Sequence, residues 1–120
     1  MSDVLALAVD VNGEVAEVGL GLKDLQTAVG GLIQPIDIAD DLTMWVNEEF
    51  LLLNEPKPNF VASGFFSFVG GTYHIHGTVV FTGGTDAEGK TLPLSADNAS
   101  AIHRIVDTQN RVSQWLGVNA

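Results

Sequence analysis

The chain has 120 residues, 46% of them apolar and 17% charged, with a formal net charge of −10 from fifteen acidic and five basic side chains. That composition suits one globular domain and lies far from the weakly apolar, highly charged class that stays disordered. The charge opposes phosphate backbones and anionic lipid, so direct nucleic-acid binding is not expected. The absence of cysteine excludes disulfides, thiolate metal sites and cysteine nucleophiles.

The opening MSDVLALAVDV lacks the basic n-region and small-residue cleavage site of a signal peptide, so a cytoplasmic location is expected. LALAVDV, then Asn12-Gly13, then EVAEVGL reads as a hairpin, because Asn-Gly tolerates positive φ at both central positions; Leu5, Leu7, Val9 and Val11 share one strand face. KDLQTAV reads as a short helix stopped by Gly30-Gly31 in the left-handed cap position. LIQPIDIA sets Ile36 and Ile38 against Asp37, and Pro35 points to an edge strand. Asp40-Asp41 make a turn into the strand LTMWV.

MWVNEEF, residues 44–50, is where an apolar run stops at an asparagine and two glutamates. An Asn47 side chain can cap a turn or helix, and Glu48 and Glu49 then sit in a first turn, where the macrodipole favours anions. A catalytic carboxylate pair must converge on a substrate, whereas adjacent residues point apart on a strand and by about 100° on a helix. The structural reading is therefore preferred, with NEEFLLL as a helical turn ended by NEPKPN. Trp45 lies on the strand face opposite Met44 and Val46. It is either a partly exposed binding hot spot or part of a second core layer beneath the C-terminal helix. Trp45, Asn47, Glu48 and Glu49 are the candidate binding residues.

No Asp, Glu, Lys or Arg occurs from Pro58 to Thr85. The length admits a membrane span, but Gly70-Gly71 interrupts it and its second half alternates. Tyr73, Ile75, Gly77, Val79 and Phe81 fall on one side, and Thr72, His74, His76, Thr78 and Thr82 on the other, with Val80 the exception. The segment is expected to form a hairpin rather than a membrane helix. On such a strand His74 and His76 would lie about 6.5–7 Å apart on one face. That begins a metal site but leaves its third and fourth ligands unsupplied, so neither metal nor cofactor is expected. The glycine pairs at 30–31, 70–71 and 83–84 match neither phosphate-loop spacing and read as a helix stop and two turns. No G-x-S-x-G occurs, so no catalytic residue is nominated.

GGTDAEGK is a polar turn. A long helix then covers about residues 96–116, capped by Ser95 or Asp97 and stopped at Gly117. Ile102, Ile105, Val106, Val112 and Leu116 form its apolar stripe, interrupted by Gln109. Either Gln109 reaches a polar backbone group or the stripe faces a second subunit, and a homodimer is slightly favoured. The fold class is α+β in a single domain, 1–120: a mostly antiparallel sheet of about five or six strands with a long C-terminal helix and one or two short helices.

GLKDLQTAVGGLIQPIDI, WVNEEF and HIHGTVVFTGG, in that order, resemble a family of short domains of unknown function found in bacteriophages, mobile elements and bacteria. The resemblance rests on Leu25, Val29, Gly30, Gly31, Ile33, Asn47, Glu48, Glu49, Ile75, Gly77, Val79, Val80 and Gly83, over about residues 20–84. The Phe-rich piece FVASGFFSFVGGTYHI and the C-terminal helix depart from the family pattern. The resemblance implies a phage or mobile-element setting, hence the cytoplasm of a host cell, and no activity. The expected function is that of a small accessory protein that binds a host or phage protein non-covalently. The alternatives are a small-ligand-binding domain and an acidic DNA mimic built on Asp37, Asp40, Asp41, Glu48, Glu49 and Glu55.

Overall fold

The computed structural model describes residues 5–49, 57–72 and 74–117. Of the helical turn expected over NEEFLLL, residues 47–53, Asn47 ends a strand and Glu48 and Glu49 form a turn, while residues 50–53, Glu55 of the acidic strip and Tyr73 of the alternating segment lie outside the described residues. The described chain runs β1 (Ala6–Val9), β2 (Val15–Val18), α1 (Leu22–Val29), β3 (Ile33–Ala39), β4 (Leu42–Asn47), α2 (Phe60–Phe68), β5 (Val79–Thr82) and α3 (Ala96–Leu116). The five strands form one antiparallel sheet in the order β2-β1-β5-β4-β3. The α+β architecture read from the sequence is the one observed.

β1 and β2 form the expected hairpin, pairing Ala8 with Ala16. Its loop is longer than a two-residue Asn-Gly turn, and Gly13 alone, not Asn12, has positive φ. Asp10 organises it: its Oδ1 accepts from the amides of Asn12 and Glu14, both at 2.9 Å. The same device recurs at Asp86, whose Oδ1 accepts from Glu88 and Lys90 at 2.9 Å. In both turns the glycine three residues on is left-handed and donates back to the aspartate carbonyl. D-x-x-G-x is thus a local turn code used twice, independent of tertiary contacts.

α1 ends as expected. Gly30 adopts φ 83°, which a side chain would oppose, and its N–H donates to the Gln26 carbonyl. β3 is an edge strand, which accommodates Pro35. Gly83 and Gly84 mark close backbone approach rather than a free turn. They pair with Leu92, and a Cβ would strike the Pro93 carbonyl oxygen at Gly83 and that of Asp40 at Gly84.

The expected hairpin over 58–85 is not formed. Phe60–Phe68 is helix α2, and of the alternating half only Val79–Thr82 is a strand. Phe and Val favour strands in isolation. Here Asn59 caps the helix, its Oδ1 accepting from the Ala62 amide at 3.1 Å, while Val61 and Ala62 enter the core and Phe65 and Phe66 pack against it. Tertiary burial outweighs a propensity difference of about 1 kcal/mol per residue at most. Val80 breaks the alternation because β5 is the middle strand, covered on both faces.

The sheet separates two cores. One face carries Leu7, Val9, Met44, Val46, Val79 and Phe81 against α2 and α3. The other carries Ala6, Ala8 and Val80 against Leu25 and Val29 of α1. Small alanines on the α1 side let an eight-residue helix sit close.

The α3 stripe is only partly core. Ala99, Ile102 and Val106 are buried, but Ile105, Val112 and Leu116 are 43%, 44% and 58% exposed. A 21-residue helix is about 31 Å long, whereas strands of four to seven residues span about 13–24 Å. The helix therefore overhangs the sheet. Ser95 is its N-cap, accepting from the Asn98 amide at 3.1 Å, and Gly117 its left-handed C-cap. The Gln109 amide donates to Ser113 Oγ on the same helix at 3.3 Å, not to backbone.

Asn59 is buried and fully bonded. Its Nδ2 donates to the carbonyls of Val9, at 3.0 Å, and Gly77, at 2.9 Å. Its backbone N–H donates to Ile75 O at 2.7 Å. Asn59→Ala removes a cap and strands buried carbonyls, so we expect a loss of about 2–4 kcal/mol in urea denaturation. Asn59→Asp keeps the cap but sets a carboxylate against two carbonyls, and should be no more stable than the alanine variant. A loss below about 1 kcal/mol for both would contradict this role.

Candidate functional site

Two regions compete for the role of site: the C-terminal end of β4, where the sequence nominated residues, and a cleft that the sequence did not indicate. Trp45 and Asn47 project from β4 to the α1 side of the sheet, and Glu48 and Glu49 follow in an exposed turn. The four are therefore neighbours, but they do not converge as a reactive set.

Asn47 is buried and acts as a bracket. Its Oδ1 accepts from the Glu49 amide at 2.8 Å, the local bond expected of a turn-forming asparagine. Its Nδ2 donates to Val29 O at 3.2 Å, tying the end of α1 to the end of β4. Gly31 leaves the space for it, since a Cβ there would lie 2.9 Å from Asn47 Nδ2. The adjacent backbone bond, Glu48 N–H to Leu32 O at 2.7 Å, closes the same corner. Asn47 caps the corner rather than a helix start, and the two glutamates are left solvent-facing.

Trp45 is half-buried and packs with the α1-side cluster, on the sheet face away from α3. The expected second layer beneath the C-terminal helix is thus a layer beneath α1. Its Nε1–H donates to Thr82 Oγ1 at 2.9 Å, and that hydroxyl donates on to Gly83 O at 2.9 Å. Trp45 thereby covers a buried polar threonine on the middle strand.

His74 and His76 do not share a strand face, because residues 74–77 are irregular apart from a single bridge between His76 and Pro58. His74 is exposed and meets the Phe60 ring edge-on at 6.3 Å. Among the described residues no group of three or more His, Asp or Glu side chains is placed to hold a metal ion. The described acids of the proposed strip also separate. Asp40 and Asp41 lie at one end of β4 and Glu48 and Glu49 at the other, with the Asp37 carboxylate accepting from Thr43 Oγ1 at 3.3 Å between them.

The cleft, of about 560 Å³, opens between the β1–β2 turn, the Lys57–Val61 approach to α2 and the overhanging part of α3. Its walls offer Asn12, Lys57, Gln109, Asn110 and Gln114 beside Phe60. Asn110 Nδ2 donates to Gly13 O at 3.2 Å and braces α3 against the turn. This lining suits non-covalent contact through amides and an aromatic ring. Sequence reading missed it because its parts are 97 residues apart at the Asn110–Gly13 contact. The asparagine before FVASGFF was the one available signal. Among the described residues no helix is long and apolar enough to cross a membrane.

The molecule is therefore a three-layer α+β domain with an open polar cleft beside an overhanging helix. It belongs to the family described as a domain of unknown function, DUF3846, whose model matches residues 2–108. The match takes in the β1–β2 hairpin and the first part of α3, beyond the 20–84 core suggested by motifs. Comparisons with curated proteins and with solved structures gave no match.

Asn47→Ala should lower stability by about 0.5–2 kcal/mol, the range for a lost cap, as read by chemical denaturation. Asn47→Asp keeps the acceptor for Glu49 N–H but sets a carboxylate oxygen against Val29 O, and should be no more stable than the alanine variant. An alanine variant of full stability that had lost its binding partner would reassign Asn47 from bracket to contact residue.

Proposed function

We propose that this protein is a small accessory factor, encoded by a phage or mobile element, that works by binding a host or phage protein without covalent chemistry. The observation that carries this reading is apolar side chains left uncovered on the outer surfaces of the helices. Phe60 and Phe68 on α2 are 52% and 78% exposed, and Trp115 on α3 is 84% exposed. Large aromatic groups held on rigid helices are the usual anchors of protein interfaces. Scattered apolar residues are normal on a surface, but several large ones on two helices of so short a chain exceed that expectation. The mobile-element setting draws on the motif resemblance alone.

A small-molecule ligand is the second reading, favoured by the cleft volume, which falls within the about 300–1,000 Å³ usual for such sites. Mimicry of DNA draws only on net charge, which speaks to solubility and association rather than to a specific function.

The test is quantitative capture from the native host with the full chain, compared with a Phe68→Ser/Trp115→Ser variant. Both positions are exposed, so circular dichroism should show the variant folded. Protein partners should be enriched by the wild type and reduced at least tenfold by the variant. Partners retained equally by both would remove the helix faces from the reading. A stoichiometric small molecule in native mass spectrometry, without a protein partner, would favour the second. In the same preparations, sedimentation at micromolar concentration should separate a 12.7 kDa monomer from the homodimer.

A further inference from the structure

The surface of α3 divides into three stripes at helical spacing. Ala99, Ile102 and Val106 face the core. Ile105, Val112 and Leu116 form a second, aliphatic stripe that is about half exposed. Arg104, Thr108, Arg111 and Trp115, at i, i+4, i+7 and i+11, form a third that is exposed throughout. Two of the five basic side chains of this strongly acidic protein thus lie in one line beside its most exposed tryptophan. Asp107 is on the same helix, yet neither arginine forms an ion pair among the described residues. Arg111, Val112, Gln114 and Trp115 line a shallow, open depression on this side.

We propose that this outer face of α3 docks an acidic amphipathic segment of a partner protein. The proposal rests on the protein-binding reading above and names its surface and the chemistry of its partner. Charge complementarity selects the occupant. Arg104 and Arg111 stand two helical turns apart, about 10.5 Å, and a helical segment with carboxylates seven residues apart reaches both. A guanidinium takes a carboxylate through two parallel N–H bonds, which fixes register as well as sign. The aliphatic stripe beside the arginines calls for apolar side chains next to those carboxylates. A nucleic-acid backbone has none to offer, and its dense phosphates would meet the repulsion of the remaining chain. Val112, Trp115 and Leu116 lie beyond the region matched to the family, as does Arg111. The proposed face therefore straddles the end of the matched region, with Arg104 and Ile105 inside it.

The full chain is immobilised and used to select from a displayed library of random 16-residue peptides. The wild type should enrich peptides with Asp or Glu seven residues apart and Leu, Ile or Phe between them. Retention of that pool should fall at least tenfold for Arg104→Glu/Arg111→Glu. It should persist for Lys23→Glu/Lys90→Glu, which changes net charge equally on other exposed sites. Trp115→Ala should also weaken retention, and rising salt should weaken the wild type most. An enriched pool without acidic residues, no enriched pool, or equal retention by the arginine variant would each overturn the proposal. So would self-association of the wild type that the arginine variant abolishes, because the occupant would then be a second copy presenting its own acidic residues. A pool held equally by the arginine variant removes this surface and leaves protein binding standing. Absence of both a pool and a captured host protein removes both.

Discussion

A single carboxamide, that of Asn59, joins the start of α2 to the place where β1 ends and the chain enters β5, its antiparallel neighbour in the sheet. It receives the Ala62 amide at the start of α2, donates to Val9 at the end of β1 and donates to Gly77 ahead of β5. Its backbone N–H holds Ile75, and Ser63, one turn into the helix, receives the Ile75 amide at 2.8 Å. These bonds fix where α2 enters the core and where the chain must bend before the middle strand. Ile75 is consequently buried although it belongs to no strand. Every donor and acceptor of Asn59 has a protein partner, which is what allows so polar a group to be buried without the desolvation penalty of an unpaired one.

Other amides work in the same manner. Asn47 joins α1 to β4, Asn98 joins α3 to the Asp41 carbonyl of the β3–β4 turn at 3.1 Å, and Asn110 joins α3 to the β1–β2 turn. Each bracket ties a helix to a strand end or turn. The chain has no cysteine and few basic residues, so cross-links and ion-pair networks are scarcely open to it. Neutral amides bonded to carbonyls do the fastening, and they are insensitive to the self-repulsion that a net charge of −10 imposes.

The mismatch between a short-stranded sheet and a 21-residue helix links fold to function. The first half of α3 covers the sheet beside α2 and fills the core with Ala99, Ile102 and Val106. The second half runs past the sheet, where it walls the cleft on one side and presents Arg111 and Trp115 to solvent on the other. One helix thus carries both the burial that stabilises the domain and a surface available for recognition, the two overlapping where Arg104 and Ile105 flank Ile102 and Val106. Substitutions in the overhang should change binding while leaving the fold intact.

The sequence by itself determined whatever is local. The D-x-x-G-x turns, the Gly30 and Gly117 stops, the Ser95 cap and the amphipathic pattern of α3 depend on φ, on side-chain-to-backbone bonds within a few residues and on helical periodicity. It also determined the edge position of β3 through Pro35 and the turn-forming bond of Asn47. Tertiary structure alone decided the rest. FVASGFFSF reads as strand by composition and is helix because Asn59 caps it and the core accepts Val61, Ala62 and the flanking rings. Val80 looks misplaced in an alternating strand until β5 is seen to lie in the middle of the sheet. The apolar stripe of α3 was visible, but a periodic pattern does not encode where the sheet beneath it stops. Whether a side chain such as Val112 is core or surface depends on that boundary, set by strands distant in sequence.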